Sequence, residues 1–387
     1  MSTLFSRGRR YQSHNVRLPY LNVSRLKGVT KLIAVFLSAA VLSLVVSCGA
    51  ETDGTSKEEQ SLENQASQKQ AAGTTEYDVA VFVPGVLAGS PTYQMLADGV
   101  TRAVEEFDSA TVKIVEGGFN QAEWQDKVTE LAATGIYELI VSSNPALPEI
   151  TRRVSNSFPN QKFLLFDGYL EGEKNIYTFR YNQYEQAFLS GHMAGLVTTS
   201  SMEGANPELK VGLVAGQEYP DMNQAILPGF EKGAQWVNED IRVDFRVIGN
   251  WYDATKAAEM SSSMMKSGVD IILTIAGGAN QGVVKTAEEQ GGYVLWFDTS
   301  GYEKSPGTVI GSTALRQEEA AYLKTKRAIE GKLQFGEAEV VGVEEGWITF
   351  LKDDPLFTSH VPESVRNRQT DILEKMKNGE IGFEMPK

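Results

Sequence analysis

From Tyr77 onward the chain alternates between short apolar runs and longer segments with apolar residues at helical spacing. VAVFV (Val79–Val83) is unbroken, β-branched and aromatic. Runs of this kind fit strands buried on both faces of a parallel sheet, whereas one-sided strands alternate. A helical pattern follows over Thr92–Phe107, with Leu96, Val100, Ala103, Val104 and Phe107 available for packing, Ser90 as N-cap and Pro91 as first helical residue. TVKIV (Thr111–Val115), ELIVSS (Glu138–Ser143), KFLLF (Lys162–Phe166) and Ile176–Arg180 read as further strands. Between and after them, Gln121–Thr134, Ala146–Phe158 and Tyr184–Val197 read as helices.

A second series begins at KVGLVA (Lys210–Ala215). Its other strands are VDFRVIG (Val243–Gly249), VDIILTIAG (Val269–Gly277), YVLWFD (Tyr293–Asp298) and TVIGST (Thr308–Thr313). Its helices are Met222–Asn238, Ala254–Lys266, Gly282–Gln290 and Gln317–Glu330. Two βα series, each too short for an eight-stranded barrel, predict an α/β protein of two doubly wound, Rossmann-like lobes. Roughly 310 residues is also large for a single core. Ligands in such folds sit at the carboxyl ends of the strands. Here those ends carry Pro84-Gly85, Ser142-Ser143-Asn144, Asp167-Gly168, Gly249-Asn250-Trp251, Gly277-Gly278 and Asp298.

The amino-terminal part follows different rules. Residues 1–31 hold seven Lys or Arg and no acid, and Leu32–Val46 is an uninterrupted apolar or small-residue run. That length suits a signal-peptide core better than a membrane span, although an uncleaved anchor is the alternative. Cys48 is the sole cysteine, so neither an intrachain disulfide nor a thiolate metal cluster is possible. Val45-Val46-Ser47-Cys48-Gly49 resembles the bacterial lipoprotein cleavage box, in which the cysteine becomes residue one and is acylated. The expectation is a leader over 1–47, lipidation (palmitate or a similar acyl chain) at Cys48 and a flexible tether over 48–76. Glu51–Thr75 has no aromatic residue and too little apolar surface to offset its ordering entropy. Cleavage would take the formal charge from −14, less the seven positive charges, to −21. Such a surface disfavours nucleic acid and anionic lipid headgroups, and leaves acyl chains to hold the protein on the membrane.

Common catalytic patterns are missing from the sequence. His192 and His360 have no metal-binding cluster and there is no HExxH spacing. There is no GxSxG elbow. The stretch Gly277–Gly282 resembles a phosphate loop only loosely, because Val283-Val284 stand where Lys and Ser or Thr belong. Asp167 and Asp298 each end a strand, one per lobe. Three roles are open to them: acid and base of a hydrolase, acceptors for the hydroxyls of a polyol, or caps of the following turns. The binding role is favoured, because no third catalytic group accompanies them.

The stretches FPNQKFLLFDG, YNQYEQAFLSGHMAGLV, KVGLVAGQEYPDMNQAILPGFEKGA, NWYDATKAAEMSSSMMKSGVDIILTIAGGANQG and YVLWFDTSG carry a family signature. Together they resemble the basic-membrane-protein family of purine nucleoside receptor-like lipoproteins. The resemblance implies a type I periplasmic-binding-protein fold whose two lobes are joined by a hinge, and delivery of a ligand to an ABC permease. It divides the chain into lobe 1 (77–182 plus 313–340) and lobe 2 (183–312 plus 341–387), with crossings near Tyr181–Gln183, Ser312–Leu315 and Val340–Gly342. It matches Tyr93 and Trp251 to the base-stacking rings, Gly277 to the glycine turn, and Asp167 and Asp298 to the ligand carboxylates. The family's lysine falls at Leu315.

PGVLAGSPTYQMLADGV, VSSNPALPEI, RYNQYEQAFL and the WFD stretch are similar to the riboflavin-receptor branch. That resemblance implies an isoalloxazine held between Tyr93 and Trp251, its polar edge read by Asn144, Asn182 or Gln183, and a ribityl chain on Asp167 and Asp298. Riboflavin is then the transported ligand rather than a cofactor, and no metal is implied. The expected protein is a monomeric, extracytoplasmic, lipid-anchored receptor that binds no nucleic acid and is not an enzyme. The alternatives are a purine nucleoside receptor, a nucleoside or glycoside hydrolase using the two carboxylates, and a repressor-like regulator, which would need a helix-turn-helix where the leader stands.

Overall fold

A computed structural model of the protein describes residues 76–385. The expected leader, Cys48 and all but the last residue of the tether lie outside the described residues. The described chain opens with β1 (Tyr77–Val83), α1 (Pro91–Val104), β2 (Ala110–Glu116), α2 (Gln121–Ala133), β3 (Leu139–Ser143), α3 (Leu147–Ser157), β4 (Lys162–Phe166) and β5 (Ile176–Tyr181). It continues through α4 (Gln183–Thr198), β6 (Lys210–Ala215), α5 (Leu227–Val237), β7 (Arg242–Val247), α6 (Ala254–Lys266), β8 (Val269–Ile275), α7 (Asn280–Gln290), β9 (Tyr293–Trp296) and β10 (Val309–Leu315). It closes with α8 (Gln317–Ile329), β11 (Ala338–Val341), β12 (Ile348–Phe350), α9 (Pro355–His360) and α10 (Glu363–Lys377).

The strands form two sheets of six, ordered β11-β5-β4-β3-β1-β2 and β12-β10-β9-β8-β6-β7. The first is wholly parallel. In the second only β12 runs antiparallel, on β10. The α/β architecture of two parallel-sheet lobes is the one the apolar runs predict. All five residues of β3 and all seven of β8 are buried, as expected of strands covered on both faces.

The backbone passes between sheets after β5, after β10 and after β11. The second and third passages differ slightly from expectation. β10 runs to Leu315 and pairs there with Ile348 of β12, so residues 313–315 belong to the second sheet, and Val341 still pairs with Tyr181 in the first. The short β11 and β12 carry too few residues for a periodic signal, and β12 extends β10 by giving it a partner. The helix expected over Met222–Asn238 starts as a π turn at Met222–Ile226 before α5. Pro228 has no N–H to give, and a widened turn before it avoids one regular helical bond. Ser90 occupies the N-cap of α1 without making a side-chain cap bond.

Helices α4 and α5 cross at very short range in the second lobe. A Cβ on Gly191 would stand 2.0 Å from the carbonyl oxygen of Phe230, and one on Gly233 would stand 2.1 Å from that of Phe188. Any side chain at either position would push the helices apart. The C-terminal segment seals the other side of α4. Gln369 of α10 bonds His192 Nδ1 at 2.7 Å and donates to the Leu189 carbonyl at 3.0 Å. Phe383 packs on Phe188 and Tyr184, with ring centroids 4.6 Å and 5.2 Å away. Burial pushes the His192 imidazole down to about 4, so it is neutral at pH 7.

Candidate ligand-binding cleft

Asp167 follows β4 directly and Asp298 follows β9 by two residues, so each stands at a strand's carboxyl end, one per lobe. Both have left-handed backbone, at φ +57° and +70°. Among the described non-glycine residues only Leu209 joins them there. Asp tolerates this region better than most side chains, and strained backbone gathers at ligand sites. The sequence does not show this feature, because Asp ends many strands in ordinary turns.

The first turn of α4 ties the two carboxylates together. Gln183 Nε2 donates to Asp167 Oδ1 at 3.2 Å, and Gln186 Nε2 donates to Asp298 Oδ1 at 3.0 Å. Burial raises the Asp167 carboxyl well above its usual range, the charges of Asp221 and Asp298 raise it further, and Arg180 pulls it back. Burial pushes Asp298 up to about 6, against the bond from Gln186. Seven buried side-chain polar atoms lack a hydrogen-bond partner among the described residues. Three of these, Tyr181 Oη, Gln183 Oε1 and Gln186 Oε1, fall in the six residues from Tyr181 to Gln186. Buried polar atoms are otherwise almost always paired, so three unpaired ones this close together set the segment apart.

Aromatic groups flank this polar centre. In the first lobe the Tyr93 hydroxyl accepts from Asn144 Nδ2 at 3.2 Å, and burial, with a contribution from Asp167, pushes Tyr93 up to about 12. In the second lobe Trp251 lies across the backbone of Gly216, where a Cβ would come within 2.5 Å of the indole. Its Nε1 donates to Gln217 Oε1 at 3.2 Å. Tyr219 sits beside it, with centroids 6.2 Å apart and tilted by 45°. Gly277, at φ +57°, borders the same indole. The charges of Asp167, Asp298 and Asp221 all act on the Tyr219 hydroxyl, which joins the aromatic and acidic groups in one site.

Of the expected residues, Tyr93, Asn144, Asp167, Gln183, Trp251, Gly277 and Asp298 gather around the cleft. Asn182 does not. Its Oδ1 caps α4 by accepting from Glu185 N–H at 3.3 Å, and its Nδ2 donates to the Phe383 carbonyl at 2.6 Å. An N-cap side chain turns back onto its own helix, which takes Asn182 out of the cleft. Gln183, expected at the ring's polar edge, instead serves a carboxylate. A separate cavity of about 290 Å³ beside the third crossing shares only Asn182 with the expected residues.

Sequence reasoning missed Gln186, Tyr219 and the Arg180–Asp221 pair. Tyr219 and Asp221 follow β6 at its carboxyl end, the same rule that singles out Trp251. Arg180 on β5 and Asp221 are bonded and nearly buried, and their pairing ties the first lobe to the second. Among the described residues no three His, Cys, Asp or Glu side chains are grouped to hold a metal ion.

The family described as "ABC transporter substrate-binding protein PnrA-like" matches residues 77–381. "Basic membrane protein A" of Borreliella afzelii is 24% identical over 308 residues, covering 77% of this chain and 89% of the relative. "ABC transporter nucleoside-binding protein BmpA" of Lactococcus lactis is 23% identical over 285 residues, covering 69% of this chain and 75% of the relative. A crystal structure of an ABC transporter solute-binding protein from Aeropyrum pernix superposes with a TM-score of 0.68 at 23% identity, over 80% of this chain and 94% of that one.

Proposed function

The chain belongs to the PnrA-like family of ABC transporter substrate-binding proteins, and from that premise we propose that it binds riboflavin between its lobes for uptake through a permease. The observation that carries this reading is the convergence of Asp167 and Asp298, each backed by a glutamine, beside Tyr93, Trp251 and Tyr219. A flavin has two parts with different needs. The isoalloxazine is a wide, nearly neutral aromatic plane that gains most from large rings on its faces. The ribityl chain is a row of hydroxyls that donate to carboxylate and amide oxygens. Leu315 favours the open chain over a ribose ring. At the position matched to the family's lysine it is 7% exposed, and its N–H bonds the Asp298 carbonyl at 3.0 Å. An open polyol requires no cation there.

Contacts made by both lobes favour the closed arrangement, and the Arg180–Asp221 pair adds to it. The cycle proposed is closure, docking and release, with no covalent step. The reading includes acylation of Cys48, which would hold a monomeric receptor on the extracytoplasmic face of the membrane. The leader pattern supports the anchor, and no helix among the described residues is long and apolar enough to cross a membrane.

Titrating the purified protein with riboflavin tests the ligand: saturable quenching of flavin fluorescence near one equivalent is expected. Unquenched flavin and a colourless protein remove it. The second reading is a purine nucleoside, favoured by the Lactococcus relative named as nucleoside-binding. Its ribose would use the same two carboxylates, and calorimetry with inosine and guanosine in parallel separates the readings.

A further inference from the structure

The opening turn of α4 serves both lobes at once. Gln183 and Gln186 are three residues apart and share a helix face. One amide reaches Asp167 of the first lobe and the other reaches Asp298 of the second. Those bonds fix how each amide is turned, because reversing it would set an amide oxygen against a carboxylate oxygen. The two amide oxygens are therefore directed away from the carboxylates, and both are buried without a partner among the described residues. Gln186 is 0% exposed and Gln183 is 5% exposed. A buried carbonyl oxygen has lost its water and gains nothing back until a donor reaches it. Two carboxylates and two unmet amide oxygens thus accept here, against the one unpaired donor of the neutral Tyr181 hydroxyl. Arg180, the cation acting on Asp167, is already engaged by Asp221.

We infer that Gln183 and Gln186 are specificity-determining residues: their amide oxygens count the hydroxyl donors of the ligand's polyol and bar its phosphorylated form. The inference rests on the reading of this cleft as a site for a ring bearing a polyol. Hydroxyls on successive carbons supply one donor to each oxygen. A ligand without them leaves buried acceptors unpaired, a mismatch that sites reject more strongly than a missing methylene. A phosphate monoester supplies charge and further acceptors where acceptors and carboxylates already face inward.

The test uses the purified wild-type protein with its Gln183→Met and Gln186→Met variants, which keep the side-chain length and lose the amide. Each is titrated with riboflavin, with lumiflavin, which has the same rings and a methyl in place of the polyol, and with riboflavin 5′-phosphate. The wild type is expected to prefer riboflavin over its phosphate by about 100-fold or more. Each variant is expected to lose about tenfold for riboflavin while lumiflavin affinity stays unchanged. Equal losses for riboflavin and lumiflavin would mean a merely structural role and overturn the inference. So would phosphate binding as tight as riboflavin binding, a comparison that needs no variant and survives any failure of a variant to fold. If guanosine binds and riboflavin does not, the flavin reading fails, and guanosine against guanine and guanosine 5′-monophosphate decides the inference by the same criteria. Binding of neither riboflavin nor guanosine removes both.

Discussion

Helix α4 carries two polar faces whose hydrogen bonds are met to different degrees. Toward the C-terminal segment, Glu185 accepts from Val343 N–H at 2.9 Å and from Phe383 N–H at 3.2 Å. Asn182 closes on Phe383, and His192 on Gln369. Toward the cleft, Gln183 and Gln186 each leave an oxygen unmet. A completed buried network holds one arrangement in place, whereas an incomplete one lowers stability until a partner arrives. Substitutions on the first face are therefore read in unfolding, and those on the second in affinity.

The sharpest way to break that division is Glu185→Ala. It strands two backbone N–H groups and is expected to cost about 4 kcal/mol of unfolding free energy, at about 2 for each buried group left unpaired. Denaturant titration measures it, and ligand affinity of the folded fraction is expected to stay unchanged. A large affinity loss at unchanged stability would erase the distinction between the faces.

Asp298→Asn is expected to act in the opposite sense. The folded state raises this carboxyl from 3.8 to about 6 by burial, so the folded protein binds the proton more tightly than the unfolded chain. That contribution is fully present below pH 3.8 and is lost as pH rises toward 6. Above pH 6 the ionised group costs about 3 kcal/mol, at about 1.4 for each pH unit separating the folded and unfolded values. Unfolding of the apo variant at pH 7 is expected to be harder by up to that amount, with its profile flattened between pH 4 and 6. Riboflavin affinity is expected to fall at the same time.

His192 provides the matching test on the completed face. Its pKa drops from 6.5 to about 4, so its contribution is present above pH 6.5 and disappears as pH falls toward 4. At pH 5 this amounts to about 2 kcal/mol relative to pH 7. Replacing it by Gln is expected to remove that acid sensitivity. Asp298 and His192 thus have pH slopes of opposite sign, which the unfolding curves of the two variants resolve. The smallest effect expected is Trp251→Ala, at about 1.5 kcal/mol of binding free energy for one lost stacking face. Calorimetry reads it, with lumiflavin losing as much as riboflavin.

Much of the fold was legible because the buried strands carry apolar runs that serve both faces, as β1 and β8 do. β11 and β12 are short, and their pairing depends on β5 and β10, so only the folded chain reveals them. In the site, a strand end followed by a small, polar or aromatic residue picked out Asp167, Asp298, Asn144 and Trp251. Asn182 was expected through the resemblance alone, and its local helix-capping bond turns it onto α4 instead. Gln186 was hidden by its position inside an apolar helix, where a polar side chain gives no sign of its partner. The Arg180–Asp221 pair spans 41 residues and joins two lobes, a relation no local pattern encodes.

The left-handed backbone at Asp167 and Asp298 limits how such a receptor can diverge. β-Branched or bulky replacements meet a steric barrier at these positions before ligand chemistry is considered, which leaves Asn and Gly as the least strained neighbours in sequence space. Tyr93 and Trp251 stand under no such restriction. Lineages that change cargo are thus freer to exchange the aromatics than to place a branched or bulky side chain at 167 or 298.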